Sequence, residues 1–321
     1  MDLTSLRIKF CSQYGANPVK PVKFLGSELL EVASDKLKCD LRVRINRLCQ
    51  LDPLNVLFPG VRCSLVSSRV DRSQYLFTPK TLGRRFLLVF SDLLAGSYVQ
   101  FIVSSDWRMW LLRTEVPVCF YQGTILDGDM VYSDKGEVTF AVFDVLASCG
   151  YSMALFGVED RLTIRDELLK QTKLLPNPTF QIVAKPFFRA EELGRTGPLA
   201  EWTAKYPCRG MVLYPLHTRQ KQSRVLAWSP APTADFYVFC SKSTGQVSLC
   251  VYEEGRYFKF ATHSGEGLDK DLVHGTVCEF CFRNGDWVFV STRSDKAQAD
   301  SGSKATLVKK QSIEPISVIN L

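Results

Sequence analysis

Residues 78–88 read Thr-Pro-Lys-Thr-Leu-Gly-Arg-Arg-Phe-Leu-Leu, and Phe58-Pro59-Gly60 lies upstream. A lysine followed by Gly-x-Arg is common by itself. Here it opens an apolar run at 86–90 (FLLVF), the first of a series. β-Branched and aromatic residues recur at 98–103, 138–146, 236–240, 246–252, 276–282 and 287–291, bounded by Gly, Asp, Asn and Ser. Helical patterns are fewer, at about 27–37, 41–50 and 157–173. In the last of these Arg161, Leu162, Ile164, Leu168 and Leu169 recur near a 3.6-residue period. Many strands with few helices predict an α+β protein, not alternating βαβ units.

Composition bounds the rest. The 321 residues are 46% hydrophobic, enough to bury a core, which gives no reason to expect disorder and suits one large domain or two ordinary ones. The formal charge of +7 is modest beside dedicated nucleic-acid binders; it fits a mildly basic soluble protein as well as one with a phosphate-bearing partner, and does not choose between them. Eleven cysteines, an odd number, form no disulfide framework. The pair Cys278-Glu-Phe-Cys281 sits in an alternating apolar run and reads as strand thiols. The three histidines have no metal-set spacing with the cysteines, so no bound metal is expected from such a set. The start, MDLTSLRIKF, has no apolar leader core, and no stretch reaches the length of a membrane span. A cytoplasmic or nuclear protein without membrane partners is expected. Ser-Pro-Ala-Pro-Thr-Ala-Asp at 229–235 reads as a linker, which predicts domains over 1–232 and 233–321. After it come closely spaced strands of small-barrel size, a polar loop at 294–305, and a last segment, 306–321, that docks back as helix or strand.

The order of motifs carries a resemblance. After Lys80-Thr81-Leu82-Gly83-Arg84-Arg85 come Leu126-Asp127-Gly128-Asp129, then Phe143-Asp144-Val145-Leu146. Lys185-Pro186-Phe187 precedes Arg209-Gly210-Met211-Val212-Leu213. Val225-Leu226-Ala227-Trp228-Ser229-Pro230 leads into Thr233-Ala234-Asp235-Phe236, and Gly275, Glu279 and Trp287 precede Arg293, Asp295 and Lys296. The series resembles the mRNA-capping guanylyltransferases, whose motifs there are F-P-G, K-x-D-G-x-R, L-D-G-E, F-D-I-L, D-G-L-I-F, L-L-K-W-K-P, T-V-D-F and W-x-x-x-R-x-R-x-D-K. It covers about residues 58–300. Leu82 stands for the first motif's Asp, Arg209 for another Asp, Ala227 and Ser229 for two lysines, and Ser291 for an Arg.

The resemblance implies a two-lobed nucleotidyltransferase of ATP-grasp-like antiparallel sheets with helices, followed by an OB-fold β-barrel. It implies Lys80 as nucleophile, with Arg84 and Arg85 supplying the positive field that makes a lysine amine neutral. It implies nucleotide contacts from Arg85, Asp127, Asp129, Phe143, Met211 and Arg209, and an OB-fold motif of Arg293, Asp295 and Lys296. GTP with Mg²⁺ or Mn²⁺ is the implied cofactor set if the chain is active, and none otherwise. Phosphoryl transfer rests on positioning and charge neutralisation, and a methyl group at Ala227 neutralises nothing. The changes at Leu82 and Arg209 add three positive charges and those at Ala227, Ser229 and Ser291 remove three, so the total is kept while the arrangement is lost. The first reading is therefore a degenerate guanylyltransferase, a pseudoenzyme that binds an mRNA 5′ end or cap beside other capping or cap-binding translation-factor subunits. The second is an active enzyme moving GMP from GTP through Lys80 to 5′-diphosphate RNA, with Lys221 and Arg224 as substitute phosphate contacts. The third is an ATP-dependent polynucleotide ligase relative.

Overall fold

A computed structural model describes residues 11, 13–14, 17–55, 58–60, 63–67, 70–94, 97–112, 114–174, 180–193, 197–217, 219, 224–241, 244, 246–263, 273–293 and 296–313. The chain divides into two compact units, one of Met1–Cys63 with Ser73–Val225 and one of Ser64–Arg72 with Leu226–Leu321.

The first unit begins with a hairpin of β1 (Val19–Phe24) and β2 (Ser27–Val32). Leu25 and Gly26 turn it with φ of 51° and 82°, the left-handed pair that suits a tight hairpin. That turn corrects the expected helix at 27–37, whose first half is strand. Ser34 then caps a single helix, α1 (Asp35–Leu48), by accepting from Leu37 N at 3.3 Å. The two helices expected at 27–37 and 41–50 are thus one, burying Leu37, Leu41 and Ile45 along one face.

The longer strands that follow in this unit are β3 (Tyr75–Thr81), β4 (Arg84–Leu94), β5 (Ser97–Ser104), β6 (Met109–Leu111), β7 (Thr124–Tyr132), β8 (Val138–Ser148), β9 (Gln181–Ala184) and β10 (Cys208–Pro215), with two-residue strands at 114–115, 151–152 and 173–174 and helices α2 (Val158–Gln171) and α3 (Pro198–Lys205). The main sheet runs β1-β2-β6-β5-β4-β7-β8, antiparallel throughout, with β9 parallel to β8. Its central strands are apolar on both faces because both are covered. Leu87 and Val89 pack with Leu41 and Ile45 of α1, whereas Phe86, Leu88 and Phe90 pack with Phe140, Val142 and Leu168. Strands β3 and β10 pair antiparallel as a separate ladder.

The second unit holds β11 (Thr233–Cys240), β12 (Val247–Glu253), β13 (Arg256–His263), β14 (Val277–Arg283) and β15 (Asp286–Thr292), in the order β13-β12-β11-β14-β15. Phe236, Leu249, Phe280 and Trp287 form its core, and α4 (Gly302–Ile313) inserts Ala305 and Val308. The fold is the α+β arrangement of antiparallel sheets that the sequence predicts, with a C-terminal five-stranded sheet. The polar stretch 294–305 is a loop only in part. From Gly302 it is helix, started by Ser301, whose carbonyl accepts from Ala305 N at 3.0 Å. Cys278 and Cys281 lie buried on β14, as strand thiols should.

Candidate nucleotide site

Strand alternation builds the site. Asp127 and Asp129 are two apart on β7, so both carboxylates leave the same face of the sheet, the face Arg85 uses on β4. Gly128 between them faces the other way, where a Cβ would meet the Phe140 ring at 2.7 Å and Ala141 O at 2.8 Å. The Asp-Gly-Asp sequence suggests a turn; here it is strand interior, and the glycine serves packing.

Arg85 Nε donates to Asp127 Oδ1 at 2.8 Å and its Nη2 donates to Asp127 Oδ2 and, at 3.1 Å, to Pro59 O. Asp127 is fully buried, and burial pushes its carboxyl up to about 6 against the pull of Arg85. Gly60, with φ of 93°, lies flat on this pair; a Cβ there would overlap the guanidinium and the carboxylate. The Phe-Pro-Gly segment is thereby tied to the sheet, with the Phe58 ring 5.8 Å from Arg85 Cζ and 5.6 Å from Trp107.

A second closed group lies beside it. Lys185 Nζ donates to Asp129 Oδ2 at 2.8 Å and to Thr81 Oγ1 at 3.0 Å, while Thr81 Oγ1 donates to the same Asp129 oxygen at 2.8 Å. The Lys185 side chain is 3% exposed. Phe143 is the extra residue of a bulge in β8, between Val142, which faces Gly128, and Asp144, which faces Asp127. Its ring lies 5.4 Å from Lys185 Nζ and 5.7 Å from Arg85 Cζ and packs with Leu76, Val212 and Tyr214. Asp144, on the same bulge, takes Arg161 Nε at 2.7 Å and Nη2 at 3.2 Å, both partners being buried.

Lys80 is half-buried near the end of β3. The β3–β10 ladder slips between Thr81↔Cys208 and Pro79↔Met211, so Arg209 and Gly210 bulge out opposite Lys80. Arg209 is exposed and Met211 buried. Burial pushes the Cys63 thiol up, while Arg85, Lys80 and Lys185 draw it down. Leu82 is exposed, and Gly83 lies against β7, where a Cβ would meet Met130 O at 2.7 Å. Arg84 alternates to solvent.

In the second unit Ala227 is buried and its carbonyl accepts from Val66 N at 3.0 Å. The Ser229 hydroxyl closes a turn on Ala231. Ser291 donates to Glu279 Oε2 at 3.1 Å, and Glu279 also accepts from Thr233. Arg293 and Lys296 both bind buried Asp235, and Lys296 bonds Asp300 at 3.2 Å. Asp295 and Lys221 lie outside the described residues, and Arg224 is exposed.

The structure therefore brings Arg85, Asp127, Asp129 and Phe143 together and adds three residues to which the sequence reading gave no role, Thr81, Lys185 and Arg161. Lys185 carries a visible signal, a lysine set between apolar Ala184 and Pro186. A divalent metal would need open carboxylate oxygens. Here Asp127 and Asp129 already hold a guanidinium and an ammonium, and among the described residues no three His, Cys, Asp or Glu side chains form a metal set. The acids present do not fit Mg²⁺ or Mn²⁺ in this arrangement.

No family model matches the chain. Among solved structures it is similar to a mycobacterial DNA ligase D complexed with ATP and MES, at 14% identity over 77% of this chain and 97% of that one, with a TM-score of 0.41. It is also similar to the ligase domain of M. tuberculosis LigD, at 14% identity, the same coverage and a TM-score of 0.35. A Lig E DNA ligase matches at 17% identity over 73% of this chain and 100% of that one, with a TM-score of 0.34. Likeness at this level concerns the course of the chain; the reading that follows rests on the side chains.

Proposed function

We propose that this chain is a capping-type nucleotidyltransferase relative that recognises an mRNA 5′ end or cap and no longer transfers GMP. One observation supports it above the others: the acids and cations at the centre of the site satisfy one another. Transfer needs a cation on the α-phosphate and a metal on the departing pyrophosphate. Arg85 and Lys185 are held by Asp127 and Asp129, and Ala227 and Ser229 supply no charge. Transition-state stabilisation depends on where charges are aimed, and these are aimed at each other. Recognition asks less, since an aromatic side chain and a few cations hold a nucleotide without reacting with it. In this reading the chain works beside other capping or cap-binding subunits.

The test is direct. Protein is incubated with α-labelled GTP, and separately ATP, with Mn²⁺, then denatured. No retained label is expected with either, while a cap analogue or a 5′-triphosphate RNA binds. Label that vanishes in Lys80→Ala would overturn the proposal.

A second reading, active transfer through Lys80, is favoured by one feature. Lys80 is half-buried opposite the Arg209–Gly210 bulge of the β3–β10 ladder, and a lysine nucleophile needs such a partly desolvated place. The same labelling decides between them, and retained label from ATP alone would point to ligase-type chemistry.

A further inference from the structure

The sheet of the second unit carries a row of aromatic rings on the face turned away from its core. On β11, Phe236 and Val238 point into the core, so strand alternation turns Asp235, Tyr237 and Phe239 the other way. Register carries that outer face across the sheet. Tyr237 pairs with Cys250 and Cys250 with Lys259; Phe239 pairs with Ser248 and Ser248 with Thr262; Tyr252 pairs with Tyr257. The Tyr257 ring stacks on Tyr237 with centroids 4.3 Å apart and planes at 25°, and meets Tyr252 edge-on at 5.1 Å. Its hydroxyl donates to Ala297 O at 3.4 Å. Further along β11 the Phe239 ring lies 5.1 Å from that of His274, which Cys240 N holds in place by donating to Nδ1 at 3.1 Å. Phe239 is 48% exposed and Tyr257 39%. The small side chains of Ser248 and Thr262 beside Phe239 leave its ring open.

Charge on the same face is positive where it is free to act. Lys259 is exposed. Arg293 and Lys296 reach the face through Asp235 and keep 26% and 31% of their side chains in solvent. The strand carboxylates of β11 and β14 here are engaged: Asp235 by those two cations, and Glu279 by Thr233 at 2.6 Å and Ser291 at 3.1 Å. We propose that this face binds single-stranded nucleic acid, with bases stacked on Phe239 and on the Tyr237–Tyr257–Tyr252 group and phosphates beside Lys259. Soluble proteins seldom expose contiguous apolar surface without a partner. An apolar protein partner would cover Lys259 with no charge to meet it, whereas a polynucleotide brings a phosphate with every base. Stacking uses the flat face of a base, which a duplex hides, so the surface selects single strands and tolerates any sequence. The inference goes beyond the reading of the nucleotide site, since it needs neither a 5′ end nor any residue of the first unit.

The experiment measures fluorescence anisotropy of the full chain with a 3′-labelled RNA of about 12 nucleotides, within the span of one such module. The RNA carries a 5′-hydroxyl, so no 5′ phosphate is present to occupy the nucleotide site. The single strand should bind, and its duplex with the complementary strand should not. Phe239→Ala and Tyr257→Ala should each weaken binding by about 5- to 100-fold, the usual effect of losing one stacked base. Phe239→Trp should restore it, and the melting temperature of Phe239→Ala should stay that of the unsubstituted chain, because the ring lies outside the core. Lys259→Ala should lower the slope of log affinity against log salt by about 0.7. Lys80→Ala should bind this RNA unchanged. A chain that does not bind it, that binds the duplex as tightly, or that binds as well with Phe239→Ala and Tyr257→Ala would overturn the proposal. So would a loss in Lys80→Ala, which would put the strand on the first unit. Self-labelling with GTP by a chain that still binds this RNA through Phe239 would sink the reading of the nucleotide site and leave this one standing.

Discussion

At the scale of single residues, what separates this site from a working one is who holds each charge. A buried ion pair contributes little over an apolar pair, yet removing one partner strands the other. Asp144 and Arg161 form a buried ion pair, at 3% and 1% side-chain exposure. Asp144→Ala should cost about 3–5 kcal/mol in chemical denaturation. Asp144→Leu with Arg161→Met should recover most of that loss; a double variant as unstable as the single would show that the pair does more than satisfy itself. In the second unit, burial alone would raise the Asp300 carboxyl, but Lys304 and Lys296 outweigh it and hold it below 3.8. Because the folded value lies below the unfolded one, the stabilisation is complete above the unfolded pKa and is lost as pH falls through the folded pKa. Asp300→Asn should therefore cost about 1.5–3 kcal/mol at pH 7, the usual worth of bonds to a charged group. Melting curves from pH 7 to 2 should converge on that variant at the acid end; a constant gap would refute the linkage. At this scale the sequence is half legible. The Asp-Gly-Asp acids stand out by motif, but their partners, up to 56 residues away, are fixed only by strand order.

Elements were legible where both faces of a strand are apolar and opaque where turn chemistry decides. The runs at 86–90 and 138–146 read as strand because the sheet is covered on both sides. The segment 27–37 reads as helix by spacing, but is divided between β2 and the first turn of α1, and the signal for β2 is the Leu25-Gly26 turn just before it. Residues 124–132 escape a periodicity reading because two aspartates and a glycine interrupt them, although most of the strand is buried. These differences give contrasting predictions for two glycines. Gly26→Ala meets open space, so its cost is the left-handed conformation alone, about 1 kcal/mol. Gly128→Ala drives a methyl into the Phe140 ring and the Ala141 carbonyl, neither of which can swing away. It should cost at least about 3 kcal/mol, the upper range for overpacking. Comparing thermal midpoints of the two variants checks this, and equal shifts would mean that β7 and β8 yield at Gly128.

For the whole molecule, the C-terminal sheet follows from strand spacing, whereas the candidate site draws its charges from five strands and a loop. The net charge of +7 does not say which cations face a ligand. Exposure does: Arg209 is exposed and Lys80 half-buried at the β3–β10 bulge, whereas Lys185 is buried. Each phosphate contact on single-stranded RNA contributes about 0.7 to the slope of log affinity against log salt. Binding of a 5′-triphosphate RNA should lose about that much slope in Lys80→Ala and again in Arg209→Ala. Lys185→Met should keep the slope and lower the melting temperature instead, since its charge serves the fold. A fall in slope for Lys185→Met would mean that RNA prises Lys185 from Asp129. That outcome would return an acid and a cation to the nucleotide, and with them the main ground for reading this site as inactive would go.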